Sequence, residues 1–390
     1  MRFPSFSHDW KIYTFDDIAS YKKGPFGSAL KKDLFVPKSK ESVKVYEQQN
    51  AINKDCHLER YFISANYYEK MKSFTVYPGD TIVSCAGTIG ELYTLPENAD
   101  IGIINQALMI IRNNQAIILK DFLNIQFSRM IDEFSKTYSN GSAIKNIPPF
   151  SDLKRKKTYV PDKLEQEKII KYISLLDQKI ITQIKIIDDL VLQKKYIISS
   201  LLKSIQDNEK IMLKDILFDY NIKTTINNEY PVLSSTASGM YLQSDYFNKE
   251  TSSDNTIGYK IVPRGYCTYR SMSDTGLFTF NMQNLVEKGI VSPAYPVFSS
   301  NDDYINEFII LYLNNSSYIK KQILELKSGG TRFALPFSTL CTLKIPKLDK
   351  EKQLSLIKTI TAFERKIENE EMILKALHQQ KNFLLNNMFI

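Results

Sequence analysis

The chain has 390 residues, of which 43% are hydrophobic and 24% are charged, and its formal net charge is +8. This length allows two domains with cores of their own. The four cysteines occur singly, which excludes a disulfide scaffold and a cysteine-based zinc site. No apolar run approaches membrane-spanning length, and the first residues lack the apolar core of a secretory signal, so we expect a cytoplasmic protein.

The first segment, from Trp10 to about residue 150, has the pattern of a mixed domain. Short apolar and β-branched runs alternate with turn residues such as Pro78-Gly79-Asp80, which predicts short strands. Residues Asp121 to Ile131 have the spacing of an amphipathic helix. Ser139-Asn140-Gly141-Ser142 is typical of a loop.

From Pro161 onward the pattern changes to that of one long helix. Asp162, with Glu165 three residues later, is a capping-box start. Apolar side chains then recur in steps of four and three, which places them on one helical face: Ile169, Ile173, Leu176, Ile180, Ile184, Ile187 and Val191. We expect the helix to end near Ser204, which gives a length of about 60 Å at ~1.5 Å per residue.

The second half of the chain repeats the first. Pro149-Phe150-Ser151 returns as Pro336-Phe337-Ser338, a shift of 187 residues from position 149 to position 336. The same shift aligns Gly102-Ile103 with Gly289-Ile290, Gln166 with Gln353, Ile170-Lys171 with Ile357-Lys358, Leu190 with Leu377, and Gln193-Lys194 with Gln380-Lys381. A strand-rich segment therefore precedes a second long helix, from about Asp349 to Met388. This long period indicates two copies of one module rather than a solenoid.

Each of the two predicted helices has an apolar face and cannot stand alone in water. Every buried side chain on such a face contributes about 1.5–3 kcal/mol, so we expect the two helices to pack on each other. Antiparallel packing is favoured because a globular segment lies between them in the chain. The predicted fold class is α+β: two similar α/β domains separated by two long antiparallel helices, with a pseudo-two-fold internal repeat.

This order of domain, helix, domain and helix resembles the specificity (S) subunit of type I restriction-modification enzymes. Local stretches agree with the family's recurrent loops and with the start of its spacer helices. They are Gly24-Pro25-Phe26-Gly27-Ser28 with Leu30, Gly87-Thr88-Ile89-Gly90, Pro161 to Ile170, Gly289-Ile290-Val291-Ser292-Pro293-Ala294-Tyr295 and Gly329-Gly330-Thr331-Arg332. The resemblance covers nearly the whole chain.

The resemblance implies two target recognition domains, which we call head one (residues 1–157) and head two (residues 207–345), and two spacer helices at 158–206 and 346–390. In that family each domain reads one half of a split, asymmetric site in double-stranded DNA. The helices set the gap between the halves and dock two methyltransferase subunits, and endonuclease subunits can join the complex. The S subunit catalyses nothing. S-adenosylmethionine, ATP and Mg are therefore expected in the partner subunits and no cofactor in this chain.

Candidate DNA contacts lie in loops rich in Lys, Ser, Thr and Arg, which supply phosphate anchors and base-edge donors and acceptors. For head one we predict contacts in and around a glycine-rich loop, where glycine lets backbone N–H groups approach phosphate: Lys22, Lys23, Gly24, Gly27, Ser28, Lys31, Thr88, Ser142 and Lys145. For head two we predict Ser234, Ser235, Thr236, Tyr269, Arg270, Ser271 and Arg332, the last as a bidentate reader of guanine.

Two other function classes remain open: a stand-alone DNA adenine methyltransferase or nuclease with its own specificity domains, and a two-headed coiled-coil adaptor that binds no nucleic acid. Asn146-Ile147-Pro148-Pro149-Phe150 resembles the Asn-Pro-Pro-aromatic loop of adenine methyltransferases, but the inserted Ile spoils its geometry. Glu325-Leu326-Lys327 has the Glu-x-Lys form of metal-dependent nucleases, yet it lies at a predicted helix end. The chain also lacks a GxxxxGK[ST] phosphate loop. These observations favour a non-catalytic subunit.

Overall fold

The computed structural model describes residue 6 and residues 9–138, 150–246, 255–326 and 333–388. The chain forms two compact units. Unit 1 comprises Met1–Thr182 and Lys375–Ile390, and unit 2 comprises Gln183–Leu374. Each unit thus contains one head together with one stretch of each long helix.

Unit 1 is a mixed α/β structure. Its strands are β1 (Lys11–Thr14), β2 (Ala19–Lys23), β3 (Phe35–Val36), β4 (Ser42–Tyr46), β5 (Tyr61–Ser64), β6 (Thr75–Val76), β7 (Thr81–Ser84), β8 (Leu92–Thr94), β9 (Gly102–Ile104), β10 (Leu108–Asn113) and β11 (Lys157–Val160). Its helices are α1 (Phe15–Ile18), α2 (Gln48–Ile52), α3 (Ala65–Met71), α4 (Lys120–Tyr138), α5 (Phe150–Arg155) and the first part of α6 (Lys163–Ser204), with 3-10 turns at Gly27–Ala29, Lys32–Leu34 and Lys72–Phe74.

The strands of unit 1 form a four-stranded sheet in the order β2-β10-β7-β8, a five-stranded sheet in the order β3-β5-β4-β9-β6, and the pair β1-β11. All the pairings are antiparallel except β4 with β9. The largest core of this unit joins Phe122 and Phe127 of α4 with Ile173 of α6. Head one therefore shares its core with the long helix.

Unit 2 contains the remaining elements. Its strands are β12 (Lys210–Met212), β13 (Leu217–Asp219), β14 (Leu233–Thr236), β15 (Gly239–Leu242), β16 (Lys260–Pro263), β17 (Cys267–Tyr269), β18 (Met272–Ser273), β19 (Phe280–Met282), β20 (Lys288–Val291), β21 (Val297–Ser300), β22 (Phe333–Ala334) and β23 (Lys344–Pro346). Its helices are α7 (Gln243–Tyr246), α8 (Asn306–Asn315), α9 (Ser317–Glu325), α10 (Phe337–Leu340) and most of α11 (Lys350–Met388), with a 3-10 turn at Leu213–Asp215.

The internal repeat of the sequence is also a repeat of topology. The sheet of unit 2 in the order β13-β21-β17-β19 matches the sheet β2-β10-β7-β8 of unit 1, and the pair β12-β23 matches β1-β11. In unit 1 helix α4 is followed by the short helix α5, strand β11 and the long helix α6. In unit 2 helices α8 and α9 are followed in the same order by α10, β23 and α11. The predicted α+β fold with two similar modules is confirmed.

The two long helices end close to the expected residues. The N-cap predicted for α6 is formed, and α11 has an equivalent one. Asp162 accepts a hydrogen bond from the backbone N–H of Glu165 at 2.9 Å, and Asp349 accepts one from the backbone N–H of Lys352 at 2.8 Å. Helix α4 is longer than predicted, since it continues from Ile131 to Tyr138. The polar residues after Ile131 do not break a helix, because neither Gly nor Pro occurs among them.

The two long helices run antiparallel, as expected. In unit 2 the side chain of Gln183 on α6 donates to Glu370 on α11 at 2.5 Å, and Lys194 pairs with Glu364 at 3.2 Å. Partner numbers on α11 fall as numbers on α6 rise, which is the signature of antiparallel packing. Gln183 and Glu370 are themselves related by the shift of 187 residues, so this pair joins equivalent positions of the repeat.

A buried glutamine fastens each long helix to its head. Gln166 is fully buried: its side-chain oxygen accepts from the N–H of Leu119 at 2.7 Å, and its amide donates to the carbonyls of Ile117 (3.1 Å) and Pro161 (2.9 Å). Its repeat mate makes the same three kinds of bond in unit 2: Gln353 with Ile305 at 2.9 Å, with Asp303 at 3.0 Å and with Leu348 at 3.0 Å. The orientation of each helix at its head is therefore set by backbone hydrogen bonds.

Candidate nucleic-acid interface

Two loops of head one leave the same edge of the four-stranded sheet. Strand β2 ends at Lys23, which is paired with Met109 near the start of β10. The first residue of β10, Leu108, is paired with Ser84, the last residue of β7. Since neighbouring strands lie about 4.8 Å apart, the ends of β2 and β7 are separated by about 10 Å. We call this surface edge one; it comprises Lys22, Lys23 and the loops 24–34 and 85–91.

Edge one brings together the exposed residues predicted for head one. Lys22, Lys23, Gly27, Ser28, Lys31 and Thr88 are all exposed there. The ammonium of Lys22 also lies 4.7 Å from the centre of the Phe74 ring. Ser142 and Lys145 lie outside the described residues.

The role predicted for Gly24 requires correction. Its N–H donates to the carbonyl of Leu108 at 2.9 Å, so this group is already used within the protein. A Cβ atom at this position would lie 1.8 Å from the carbonyl oxygen of Asn105. Gly24 is therefore needed for the close approach of two backbones and not for the approach of a phosphate. At Gly27, in contrast, a Cβ atom would meet nothing within 4 Å.

Two residues of edge one were missed by the sequence analysis. Lys32 is exposed in the second 3-10 turn of the loop. Phe26 is 88% exposed, which is an unusual state for a large aromatic side chain. Its position between Pro25 and Gly27, in a loop surrounded by lysines, is the sequence signal that indicates this exposure.

The thiol of Cys85 in edge one is not an activated nucleophile. Burial raises the pKa of the Cys85 thiol to about 12, an effect that the nearby charge of Lys23 opposes only in part. The thiol therefore stays protonated at neutral pH, and a protonated thiol is a poor nucleophile.

Head two has an equivalent edge. Strand β13 ends at Asp219, which is paired with Phe298 of β21, and Phe298 is paired in turn with Cys267 of β17. The loops that follow β13 and β17 therefore leave the sheet on the same side, as in head one. We call this surface edge two; it comprises the loops 220–232 and 270–279. Strand β22 pairs with β18 in the second loop, so the chain re-enters the described structure at Phe333 beside edge two.

Two residues predicted as DNA contacts in head two are internal, which corrects their assignment. Tyr269 is 0% exposed, and its hydroxyl donates to the carbonyl of Leu335 at 2.9 Å. Ser235 is 9% exposed and accepts from the side-chain amide of Asn281 at 2.8 Å. Both therefore hold the head together.

The other residues predicted in head two have mixed environments. Arg270 is exposed on edge two, directly after the last residue of β17. Ser271 is half-buried, and its hydroxyl donates to the carbonyl of Ala294 at 2.9 Å. Ser234 is half-buried in β14, and the Thr236 hydroxyl donates to the carbonyl of Gly239, which closes the hairpin to β15. Arg332 lies outside the described residues.

Neither a metal centre nor a membrane-spanning helix is found in the described parts of the chain. In residues 9–138, 150–246, 255–326 and 333–388, no three His, Cys, Asp or Glu side chains are grouped so that they could hold a metal ion. Within the same residues, each helix is too short or too polar to cross a membrane.

Comparison with known proteins agrees with this arrangement. Residues 7–190 match the family model of the type I restriction modification DNA specificity domain. A sequence comparison with curated proteins finds no match.

Three solved structures are similar over almost the whole chain. One is described as the structural basis of complex assembly and conformational transition of the type I R-M system. Its TM-score is 0.64 at 11% identity, and the alignment covers 97% of each chain. The HsdS subunit from Thermoanaerobacter tengcongensis has a TM-score of 0.50 at 11% identity and covers 97% of this chain and 96% of its own. The type I restriction-modification S subunit from M. genitalium has a TM-score of 0.47 at 17% identity and covers 98% and 96%.

The family match falls on head one and the first part of α6, and head two repeats the same topology. The first two structural matches share the fold, with 97% of this chain aligned in each. Over residues 7–190 the chain is therefore similar to the type I restriction modification DNA specificity domain, and its fold is that of the two solved structures.

Proposed function

We propose that this protein reads a bipartite, asymmetric site in double-stranded DNA, head one binding one half and head two the other. In this proposal it directs adenine methylation, and restriction, by partner subunits that carry S-adenosylmethionine, ATP and Mg. The observation that carries the proposal is the pair of equivalent sheet edges with unlike loops. One scaffold presenting two different sets of side chains suits a target with two different half-sites. Such a target implies that the protein works in the cytoplasm.

The charges of the two edges support contact with DNA in different ways. Edge one has Lys22, Lys23, Lys31 and Lys32 against Asp33, while Glu91 is paired with Lys54 at 2.8 Å. This excess of positive charge suits phosphate binding. Edge two has Arg270 and Lys223 against Asp274 and Glu229, so its charge is balanced in the described residues. We propose that Arg270 reads a base edge there.

The same proposal assigns a role to each segment of the chain. Residues 1–157 and 207–345 are the target recognition domains, and residues 158–206 and 346–390 are the spacer helices. The antiparallel helices and the glutamine clamps at Gln166 and Gln353 give a rigid link between each head and its helix. A rigid spacer would fix the gap between the two half-sites.

Helix α6 exposes a second set of apolar side chains, away from its buried face. In unit 1 this set is Leu164, Tyr172 and Leu175, and in unit 2 it is Ile186, Leu192 and Tyr196. At about 100° per residue, the set of unit 1 spans about 80° of the helix circumference and the set of unit 2 about 120°. Exposed apolar patches mark sites of protein association. One patch in each unit supports docking of two methyltransferase subunits.

Mapping methylated adenines in cells with and without this gene tests the proposed function. We expect methylation at one split sequence that disappears when the gene is deleted. Methylation or cleavage by the purified chain alone would show that it is a stand-alone enzyme. Unchanged methylation, together with no salt-dependent DNA binding by the assembled complex, would instead identify a protein-binding adaptor.

Replacing a lysine of edge one should weaken DNA binding on every sequence. For Lys22→Gln, Lys23→Gln and Lys31→Gln combined, we expect the slope of log affinity against log salt to fall by about 2.7, since each lost phosphate contact removes about 0.9. The slope is measured by titrating the assembled complex with duplex DNA at several salt concentrations. Lys11→Gln is the control, because Lys11 is exposed in β1, which precedes the start of β2, whereas edge one lies at the end of β2. An unchanged slope in the triple variant excludes edge one as a phosphate-binding surface.

Placing a charge in the exposed apolar patch of unit 2 should block assembly with a methyltransferase subunit. Leu192 is 67% exposed, so Leu192→Glu leaves the fold intact but puts a carboxylate into the proposed interface. We expect at least about a tenfold loss of affinity for the methyltransferase subunit, measured by calorimetry or by gel filtration. Leu354→Glu, the identical substitution at an exposed position of α11 in unit 2, is the control. Equal assembly by both variants places the interface elsewhere.

A further inference from the structure

We infer that Phe26 is an apolar wedge that enters between stacked base pairs in the DNA half-site bound by head one. This inference rests on the proposed function and adds a residue that does not read bases by hydrogen bonding. It requires that Phe26 be exposed, that its loop be held in a fixed position, and that its surroundings favour DNA over a protein partner.

The side chain is presented by a loop that is anchored on both sides. Before it, Gly24 is held against Asn105 so closely that no side chain fits, and Pro25 is buried. After it, the carbonyl of Phe26 accepts from the N–H of Ala29 at 2.9 Å, and the N–H of Leu30 donates to the carbonyl of Gly27 at 3.2 Å. The backbone on both sides is therefore fixed while the ring is 88% exposed. A fixed loop loses little conformational entropy when its aromatic side chain is buried by a ligand.

The charge around Phe26 favours a polyanionic partner. Lys22, Lys23, Lys31 and Lys32 lie within six residues of it in sequence and are exposed, and Asp33 is the nearest acidic residue of the loop. Lysine is depleted in the cores of protein–protein interfaces, so an aromatic anchor surrounded by lysines is a poor match to such an interface. Phosphates on both sides of a base step would pair with these lysines, while the apolar face of the ring would stack on the bases.

The wedge has a consequence for specificity. A phenyl ring has no hydrogen-bond donor or acceptor, so it cannot distinguish base edges. It favours base steps that unstack easily, and pyrimidine–purine steps are the most flexible of these. Apolar side chains such as Phe are used in this way by proteins that kink DNA. We therefore expect a kink at one step of the half-site bound by head one.

The first experiment measures unstacking directly. The assembled complex is titrated with a duplex that carries the mapped methylation site, in which 2-aminopurine replaces one adenine at a time in the half-site of head one. We expect the wild-type complex to raise the fluorescence at one step. Phe26→Ala should abolish the rise and weaken binding by about tenfold, the effect of losing one stacking contact, whereas Phe26→Leu should retain part of both.

A matched control comes from the same head. Ile101 is 52% exposed and precedes β9, whereas Asn105, which touches Gly24, follows this strand. At about 3.3 Å per residue Ile101 and Asn105 lie about 13 Å apart, so Ile101 is distant from Gly24. Ile101→Ala removes a similar apolar surface and should change neither the fluorescence nor the affinity.

The second experiment identifies the partner of the ring. A photoreactive p-benzoylphenylalanine at position 26 should crosslink to DNA in the assembled complex, and the same residue at position 101 should not. A crosslink to the methyltransferase subunit, or an unchanged fluorescence rise and affinity in Phe26→Ala, overturns the inference while leaving the proposed function intact. A wild-type complex that binds no DNA would remove the proposed function and this inference together.

Discussion

The Gly24→Ala variant should lose about 3 kcal/mol of folding free energy, whereas Gly27→Ala should change it by less than about 1 kcal/mol. The added methyl group at position 24 would lie 1.8 Å from the carbonyl oxygen of Asn105, and a backbone oxygen cannot rotate away as a side chain can. The same methyl group at position 27 meets nothing within 4 Å. The two variants differ by three positions in one loop, so they form a matched pair.

Urea unfolding followed by tryptophan fluorescence is suited to this comparison. Trp10 is the one tryptophan of the sequence, and its indole donates to Glu165 within unit 1 at 3.1 Å. Its signal therefore reports the unfolding of unit 1. A shift of the Gly24→Ala midpoint no larger than that of Gly27→Ala would show that the loop relaxes away from Asn105. In that case Gly24 would not be a packing residue.

Replacing Gln166 with leucine should lower the free energy of unfolding by about 3 kcal/mol. Leucine has nearly the same size but cannot accept from the N–H of Leu119 or donate to the carbonyls of Ile117 and Pro161. These backbone groups would remain buried without their partner, which costs more than the net value of a hydrogen bond. The change also frees the start of α6 to tilt relative to head one, so we expect the DNA affinity of the folded variant to fall as well.

The control for this prediction is Gln178→Leu, which makes an identical substitution on an exposed position of the same helix. We expect its unfolding midpoint, followed through Trp10, to equal that of the wild type. Gln353→Leu should destabilise unit 2 by a similar amount, seen in the circular dichroism and not in the Trp10 signal. If Gln166→Leu and Gln178→Leu unfold at the same urea concentration, the buried glutamine is not a clamp.

The elements that depend on local pattern were predictable. The long helices follow from apolar side chains at steps of three and four, and their starts follow from Asp162 and from the repeat of the pattern at Asp349. The repeat itself predicted two similar modules, and the sheet orders confirm them. Antiparallel packing followed from the position of the second module between the helices. In each case the determining interactions are close in sequence or are shared by both copies.

The functional surface depended on contacts between residues distant in sequence, and it could be predicted only in part. Tyr269 and Arg270 are adjacent in the sequence, and both are of a type common in loops. Tyr269 is nevertheless buried, whereas Arg270 is exposed. The difference arises because Tyr269 is the last residue of β17 and meets Leu335, which lies 66 residues away. Ser235 is buried by Asn281 for the same kind of reason.

The sequence alone determined the two-module order, the positions of the long helices and the basic loop near Lys22 and Lys31. These features follow from the spacing of apolar residues, from the internal repeat and from the residue types present. Tertiary structure decided which side chains of that loop are available. Strand pairing sets Gly24 against Asn105 and leaves Phe26 uncovered. Whether a side chain is covered depends on which distant segment packs beside it, and no local pattern contains that information.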